Sequence, residues 1–367
     1  MVLMPLLDTS AGFAAQALTA VAELTTPVAV VEETVLERNL ARMADFARRS
    51  GLKLRPHAKT HKSPFIAQRQ LAHGAAGLTA ATLHEAEVFA NAGVTDLFIA
   101  HPPVGAGKRR RLAELAERGI RLAVAVDDPS LADGLPAGVE VMWEVDTGLH
   151  RVGSAPGEPT ARGVRGLPPG RLRGLFTHAG QSYAIERALA AHQEWEGLAE
   201  SAAVLRAGGV DVRELSVGSS PTAAWAAEAA AGGITEMRPG TYVFSDANQV
   251  ALGAQSLEDC ALGVVATVVS APERGRRVLD CGTKSISGDF HVKGLEGWGI
   301  VLGHPDLRID RLNEEHAVVL GEADLKVGDR VVVIPSHACT TVNLHPALLF
   351  VGAGEPRWEP VAAHGWN

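Results

Sequence analysis

Lys59 lies in the part of this 367-residue chain that is richest in chemically useful side chains, the octet 55–62. A lysine amine becomes a nucleophile, able to form a Schiff base, when a rigid element holds it partly desolvated beside other cations, because this lowers its pKa. Leu52 and Leu54 alternate with polar residues before the octet, and a helical pattern follows from Ser63. The octet is therefore predicted at a strand-to-helix junction, where α/β barrels place their chemistry, rather than in a solvated loop.

A second candidate is the turn of Gly218, Ser219 and Ser220, which follows a predicted strand and precedes an alanine-rich segment. Backbone N–H groups, hydroxyls and a helix N-terminus could face an anion there, although a capped helix start without a ligand is the alternative. His178 ends the preceding predicted strand and is either a core histidine or an aromatic face for a flat cofactor ring. Neighbouring segments add further candidates: Gln181, Ser182, Tyr183, Arg238, Gly240 and Tyr242.

The segment 144–153 closes another predicted strand and contains Glu144, Asp146 and Arg151. Its carboxylates either cap a helix or pair with Arg151. The functional alternative is that Arg151 orients a cofactor or a substrate carboxylate, which suits its planar fork of donors.

His337 and Cys339 form a candidate metal pair after the apolar run 330–334. If this segment is a strand, residues i and i+2 point the same way and both side chains can converge on one ion. A nitrogen and a thiolate together prefer zinc. A buried cysteine beside a chance histidine is the alternative. The remaining ligands would be water and substrate, as in an open catalytic site.

Short β-rich runs alternate with amphipathic segments from about residue 27 onward. The eight predicted strands are 28–31, 52–55, 77–81, 96–100, 121–126, 139–145, 172–177 and 212–217. Strict alternation implies a parallel sheet, and eight units favour a (β/α)8 TIM-type barrel. After about residue 245 the strands are short and separated by turns, which predicts a second, mostly antiparallel β domain. We therefore expect a barrel over residues 26–245 and a β domain from residues 1–25 and 246–367.

Composition excludes several functional classes. A net charge of −8 and 5% aromatic residues give no footprint for nucleic acid. No stretch reaches the roughly 18 apolar residues of a membrane span, and residues 1–16 lack the pattern of an export signal. Three widely spaced cysteines argue against a disulfide framework and favour a cytoplasmic protein.

Taken together, these segments resemble the fold-type III, alanine-racemase-like pyridoxal-phosphate enzymes. Within that family they are most similar to the branch of D-serine dehydratase, D-threo-3-hydroxyaspartate dehydratase and D-threonine aldolase. The resemblance extends from Thr26 to about residue 350, and its most specific parts are 55–62, 177–183, 238–242 and 337–343.

The resemblance implies a role for each candidate residue. Lys59 would carry pyridoxal 5'-phosphate, His178 would lie against the pyridine ring, and His337 with Cys339 would bind a divalent metal. Gly218, Ser219 and Ser220, with Tyr242 nearby, would hold the phosphate. The other candidate cofactor residues are His57, Arg151, Gln181, Ser182, Tyr183, Arg238 and Gly240.

The implied activity is dehydration of a D-3-hydroxy amino acid, such as D-serine, D-threonine or D-threo-3-hydroxyaspartate, to a 2-oxo acid and ammonia. Retro-aldol cleavage to glycine and an aldehyde is the alternative. Aldolases of this branch tend to carry a carboxylate as second metal ligand with a harder ion, whereas dehydratases carry cysteine with zinc. Cys339 therefore favours a dehydratase, and Zn²⁺ over Mn²⁺ or Mg²⁺.

Two further activities are less consistent with the sequence. The His-x-Cys pair replaces the tyrosine that racemases use, which argues against a racemase. A non-catalytic pyridoxal-phosphate carrier would lack the second domain. Family members are usually dimers, so the resemblance also implies a homodimer that takes a small-molecule substrate.

Overall fold

The structure is a computed structural model that describes residues 9–365, so the part of the export-signal prediction that concerns residues 1–8 lies outside it. The strands are β1 Val28–Glu32, β2 Lys53–Leu54, β3 Leu78–Ala80, β4 Asp96–Ile99, β5 Arg121–Val126, β6 Glu140–Glu144, β7 Leu172–Phe176, β8 Glu214–Val217, β9 Glu236–Met237, β10 Leu262–Glu273, β11 Arg276–Leu279, β12 Gly299–Val301, β13 Arg308–Leu312, β14 Ala317–Leu320, β15 Arg330–Pro335, β16 Ala347–Val351 and β17 Arg357–Pro360.

The α-helices are α1 Thr9–Ala20, α2 Glu33–Arg49, α3 Pro64–Ala72, α4 Leu83–Asn91, α5 Ala106–Glu117, α6 Glu158–Arg165, α7 Arg187–Ala207, α8 Ala226–Ala231, α9 Ala247–Ala251 and α10 Ala338–Asn343. Short 3₁₀ turns cover Ala58–Thr60, Pro129–Ala132, Gly180–Tyr183, Ala223–Trp225, Thr241–Val243 and Leu257–Asp259. Within residues 9–365, no helix has the length and apolar character that a membrane crossing requires.

Strands β2 to β9 form an eight-stranded parallel sheet in which neighbours follow one another along the chain. Its two ends meet, because His57 bridges Thr79 and the Thr79 N–H donates to the Pro56 carbonyl at 2.9 Å. The helices between the strands complete β-α units. The predicted (β/α)8 barrel is therefore confirmed.

One strand of the barrel was predicted incorrectly. Residues 28–31 form β1, which pairs antiparallel with β10 and parallel with β16 in the other sheet. The eighth barrel strand is instead β9, Glu236–Met237, which lies between β8 and β2. A strand of two residues is too short to show an alternating pattern. Strand β9 is therefore defined by its pairing with β8 and β2 rather than by local sequence.

The other nine strands form a mostly antiparallel sheet, as predicted. Strand β10 pairs with β1, β11 and β15, so six strands (β10, β11, β14, β13, β12 and β15) close into a second barrel. Strands β1, β16 and β17 extend that sheet on one side.

The chain divides into two compact units. One contains residues 9–40, 60–63 and 241–365, and the other contains residues 41–59 and 64–240. The predicted border at residue 246 lies close to the observed change at Thr241. The predicted border at residue 26 does not match, because β1 and the start of α2 belong with the nine-stranded sheet.

The lower interior of the parallel barrel is filled by charged side chains. Arg55 Nε donates to Glu236 Oε2 at 2.8 Å, and Arg173 Nε donates to Glu214 Oε2 at 2.7 Å. Asp96 joins the two arginines, with Oδ1 at 2.7 Å from Arg55 Nη1 and 3.3 Å from Arg173 Nη1. Burial tends to raise the pKa of Asp96, but Arg55 and the other arginines lower it, so the Asp96 carboxylate stays ionised.

This charged network reaches upward through hydrogen bonds. Glu236 Oε1 accepts from Ser216 Oγ at 2.7 Å, and Arg238 Nη1 donates to the same hydroxyl oxygen at 2.6 Å. The Arg238 guanidinium lies over the rings of Phe98 and Phe176, 5.7 and 5.1 Å from their centroids. Two aromatic rings therefore pack against Arg238, which connects the charged network to the cavity.

We predict that Arg173→Met destabilises the protein by about 3–5 kcal/mol, because it removes the buried arginine that pairs with Glu214 at 2.7 Å. The matched control is Arg213→Met, which removes a half-exposed arginine paired with Glu140 at 2.7 Å and should cost less than about 1 kcal/mol. Chemical denaturation measures both. Equal losses of unfolding free energy in the two variants would show that the buried ion pair contributes no more to stability than the exposed one.

Candidate active site

A cavity of about 350 Å³ opens where the barrel strands end. This is the face on which barrels of this kind place active sites, and the volume is in the range of small-ligand pockets. Five of the predicted cofactor residues line it: His57, Lys59, Arg151, His178 and Arg238. The structure thus brings together residues that are up to 181 positions apart in the chain.

Lys59 is held by the turn that follows β2, as the sequence predicted. The His57 N–H donates to the Pro239 carbonyl at 3.0 Å, and the Lys59 N–H approaches His57 Nδ1 at 3.5 Å. Residues 58–60 form a 3₁₀ turn, and α3 begins at Pro64. The amine is therefore carried on a short segment that is tied to the neighbouring strand ends.

The cavity is electropositive. Desolvation, and then the charges of Lys59, Arg151 and Arg238, lower the pKa of His178 to about 3. Desolvation and Lys59 also hold the pKa of His57 well below its usual range. Both rings are thus neutral, and the remaining cations favour an anionic ligand such as a phosphate or a carboxylate.

The orientation of His178 is fixed by one hydrogen bond. Its Nδ1 donates to the Gly218 carbonyl at 2.9 Å, which specifies the Nδ1–H tautomer of the neutral ring. Nε2 is left as an acceptor. The ring is therefore a rigid aromatic wall of the cavity, a suitable surface for a flat cofactor.

The predicted phosphate residues adjoin one another at the ends of β7 and β8. Ser219 Oγ lies 3.0 Å from Thr222 Oγ1 and 3.4 Å from Ser182 Oγ. Gln181 Nε2 donates to the Thr147 carbonyl at 3.0 Å. A Cβ on Gly218 would lie 3.0 Å from the Arg238 Cβ and 3.2 Å from its carbonyl oxygen, so a side chain at this position would crowd the Arg238 main chain.

The predicted helix N-terminus at this turn is wrong. The alanine-rich segment begins as a 3₁₀ turn, Ala223–Trp225, and α8 starts only at Ala226. The Gly218 N–H donates to Glu194 Oε1 at 2.7 Å. The Gly218 N–H is therefore occupied, and α8 begins too late to place a helix N-terminus at this turn.

Glu194 was not identified from the sequence. It is buried in α7, accepts from Gly218 and, through Oε2, from the Thr222 hydroxyl at 2.9 Å. Burial raises its pKa to about 7. The sequence shows Glu194 only as a carboxylate among apolar positions of a helix, so it indicates burial but no partner.

The remaining predicted cofactor residues have less defined surroundings. Tyr183 and Ser220 are half-buried, and Gly240 is buried at the end of the barrel unit. Tyr242 is buried in the unit of the nine-stranded sheet, near the start of its segment 241–365. Their assignment to the cofactor stays a prediction.

The carboxylates of the segment 144–153 show both structural roles, capping and pairing with Arg151, although the cap is on a turn rather than a helix, and the functional role of Arg151 stays a prediction. Asp146 caps a turn, accepting from the N–H groups of Gly148 and His150 at 3.0 Å each. Glu144 instead lies 3.8 Å from Arg151 Nη2, and both line the cavity. Burial raises the pKa of Glu144 to about 7, against the lowering effect of Arg151.

The second candidate centre belongs to the nine-stranded unit. The predicted strand geometry for its residues is wrong, since β15 ends at Pro335 and Cys339 lies in the first turn of α10. The side chains of His337 and Cys339 nevertheless lie together and are hydrogen-bonded to each other. Thr60 Oγ1 lies 3.1 Å from Cys339 Sγ, and His337 Nδ1 lies 2.8 Å from Asp289 Oδ2.

The donor set fits a divalent metal with open coordination positions. Burial tends to lower the pKa of His337, but Cys339 and Asp289 raise it to about 10, so a metal ion that binds this ring must displace a proton from it. Within residues 9–365 no cluster of three His, Cys, Asp or Glu side chains is arranged to hold an ion. Two protein ligands would leave the other coordination positions to water or substrate, as at a catalytic rather than a closed structural site.

Comparison with known proteins gives consistent matches. The alanine racemase N-terminal domain model matches residues 31–248, and the serine dehydratase domain model matches residues 261–351. The chain is 35% identical to D-threo-3-hydroxyaspartate dehydratase of Delftia sp. (strain HT23), over 94% of this chain and 98% of that protein. It is 34% identical to D-threonine aldolase of Arthrobacter sp., over 94% of each. The solved structure of the Delftia sp. HT23 dehydratase has a TM-score of 0.84 at 34% identity, covering 95% of this chain and 100% of that chain.

We predict that Lys59→Ala abolishes covalent attachment of pyridoxal phosphate. The cofactor aldehyde forms a Schiff base with an amine, and Lys59 is the lysine that lines the cavity. Borohydride reduction followed by peptide mass spectrometry measures attachment. Lys62→Arg, three residues away, should leave it intact. Modification found at Lys62 or another lysine would contradict the assignment.

We predict that Glu194 makes stability depend on pH. Its pKa is about 7 in the folded chain and ordinarily 4.5, so its stabilising contribution is complete below pH 4.5 and falls as pH rises to 7, by on the order of 3 kcal/mol. Glu194→Gln should reduce the slope by that amount, as measured by urea denaturation across that range, while the part that comes from Glu144 remains. Glu196→Gln, exposed on the same helix, should retain it. A slope unchanged in Glu194→Gln would contradict the prediction.

Proposed function

Because the chain belongs to the alanine-racemase-like enzymes, in the group that combines this barrel with a serine dehydratase domain, we propose that it is a lyase that dehydrates D-3-hydroxy amino acids. The family depends on pyridoxal phosphate, and the related lyases depend on a metal ion. The products would be a 2-oxo acid and ammonia. Candidate substrates are D-serine, D-threonine and D-threo-3-hydroxyaspartate.

The observation that carries this proposal is the hydrogen-bonded pair of His337 and Cys339. An imidazole and a thiolate form a softer donor set than an imidazole and a carboxylate, which favours Zn²⁺ over Mn²⁺ or Mg²⁺. The resemblance associates this softer set with dehydration. It therefore supports loss of the 3-hydroxyl rather than cleavage of the Cα–Cβ bond.

When bound, pyridoxal phosphate supplies an electron sink for the bond broken at Cα, and a divalent ion supplies a Lewis acid for the 3-hydroxyl. Lys59 would hold the cofactor and, once the substrate amine displaces it, its Nζ would accept the Cα proton. His178, fixed by its bond to Gly218, would support one face of the ring. Arg151 would attract the substrate carboxylate into the cavity that it lines.

The residues around Ser219 and Ser182 would bind the cofactor phosphate through their hydroxyls. We extend this proposal to Gly218, Ser220 and Tyr242, and to Gln181, Tyr183 and Gly240 as supporting residues. Their support is that the Ser182 and Ser219 hydroxyls lie 3.4 Å apart, and that Gln181 and Gly218 directly precede these two serines in the chain.

Retro-aldol cleavage to glycine and an aldehyde is the second candidate, favoured by the 34% identity to D-threonine aldolase of Arthrobacter sp.. Both reactions begin from the same bound substrate and differ in the bond that breaks. Racemisation and non-catalytic cofactor binding are remoter alternatives. Formation of ammonia or of glycine from a substrate would exclude both.

The test is to incubate the protein, with pyridoxal phosphate and zinc, with each of the three candidate substrates. Ammonia with 2-oxo acid, lost on chelation and restored by zinc, would support the dehydratase. Glycine with an aldehyde would make the enzyme an aldolase. Only the L-enantiomer as product would indicate a racemase.

We predict that Cys339→Asp lowers zinc-dependent ammonia release by at least tenfold, because the harder carboxylate replaces the thiolate. Ammonia is measured with zinc and then with manganese, beside glycine formation. Cys281→Ser, which changes a buried cysteine in the same unit, is the control for loss of a thiol. Full zinc-dependent ammonia release by Cys339→Asp would contradict the role of the cysteine.

We further propose that the protein is a cytoplasmic homodimer. The support is that its three cysteines form no disulfide, two of them being buried, and that enzymes of the resembled family are usually dimers. Light scattering after size-exclusion chromatography tests the dimer, with a monomer mass as the contradicting result.

A further inference from the structure

We propose that Asp289 is a positioning residue that orients His337 so that only Nε2 is presented to the metal ion. This inference rests on the proposed metal site and goes beyond it, because Asp289 belongs to none of the motifs that indicate the site. It lies 48 positions before His337, in the loop between β11 and β12.

The contact itself selects a ring nitrogen. Asp289 Oδ2 lies 2.8 Å from His337 Nδ1, so that nitrogen carries a proton directed at the carboxylate. The edge-to-face ring of Phe290, 4.9 Å away between centroids, limits rotation of the imidazole. Nε2 is therefore the ring nitrogen that remains for an ion.

The main chain of His337 is also fixed. Its carbonyl accepts from the Thr341 hydroxyl at 2.9 Å and from the Thr341 N–H at 3.3 Å. The next residue, Ala338, donates its N–H to Asp246 Oδ2 at 3.0 Å. With the backbone held at the start of α10, the carboxylate of Asp289 is left to determine the position of the ring.

Asp289 is itself held by two hydroxyls. Its Oδ1 accepts from Ser287 Oγ, and Thr340 Oγ1 donates to the same oxygen at 3.3 Å. Thr340 directly follows Cys339, so one turn of α10 provides both the thiol and a support for the carboxylate. Since Oδ1 binds these hydroxyls and Oδ2 binds His337, both oxygens serve to position the imidazole rather than to bind an ion.

A histidine that binds a metal usually donates its other N–H to such a partner, and loss of the partner weakens metal binding by roughly 10–100-fold. The alternative is an ion pair at a half-exposed position, with no effect on the ion. The Asp289 side chain is 37% exposed, and pairs of that exposure contribute little to stability. Metal affinity, rather than stability, therefore distinguishes the two roles.

The experiment measures Zn²⁺ affinity of the full-length protein by competition with a chromophoric chelator. We expect Asp289→Ala to weaken binding by about 10–100-fold, and Asp289→Asn, which keeps an acceptor oxygen, to restore most of it. Asp310→Ala is the matched control, because Asp310 lies in the same unit at 40% side-chain exposure and pairs with Arg308. Wild-type affinity in Asp289→Ala would overturn the proposal.

A second measurement needs no variant at Asp289. Nitrogen-15 NMR of histidine-labelled, zinc-loaded wild-type protein should show His337 bound through Nε2 and protonated at Nδ1. Zinc bound through Nδ1 would overturn the inference while leaving the metal site in place. Zinc affinity unchanged by His337→Ala would instead refute the metal site, and the role of Asp289 with it.

Discussion

The constraint on which the structure depends is that three arginines are buried in one barrel and must be neutralised there. Arg55, Arg173 and Arg238 are each at most 4% exposed. A buried unpaired charge is costly, so carboxylates from several strands must occupy fixed positions around them. The first two arginines pair with carboxylates at the bottom of the barrel, while Arg238 reaches that network through Ser216. Charge pairing at the bottom thereby helps to fix the strand ends that form the cavity.

A single short segment supplies residues to three of the groups described above. Arg55 belongs to the buried network, Lys59 lines the cavity, and the Thr60 hydroxyl lies 3.1 Å from Cys339. These residues span only six positions, so the spacing between the network and the amine is set by the chain itself. The octet is rich in basic residues because successive positions have different surroundings, a buried ion-pair network at Arg55 and the cavity at Lys59, and not because it is a solvated loop.

The sequence alone was sufficient to predict the elements whose residue pattern is local. The octet around Lys59, the strand β5 and the β-rich second half were predicted because period and residue type are visible there. Strand β9 was missed because two residues have no period, and β1 was misplaced because a buried strand looks the same in either sheet. Glu194 and Asp289 were missed because their partners are 24 and 48 positions away, a distance that only the folded chain closes.

The most direct test of the account is a crystal structure of the protein grown with pyridoxal phosphate and zinc, with diffraction recorded on both sides of the zinc absorption edge. We predict an anomalous peak bonded to His337 and Cys339, and electron density continuous from Lys59 Nζ into the cofactor. A zinc peak away from His337 and Cys339, or a Lys59 amine separate from the cofactor, would contradict the account.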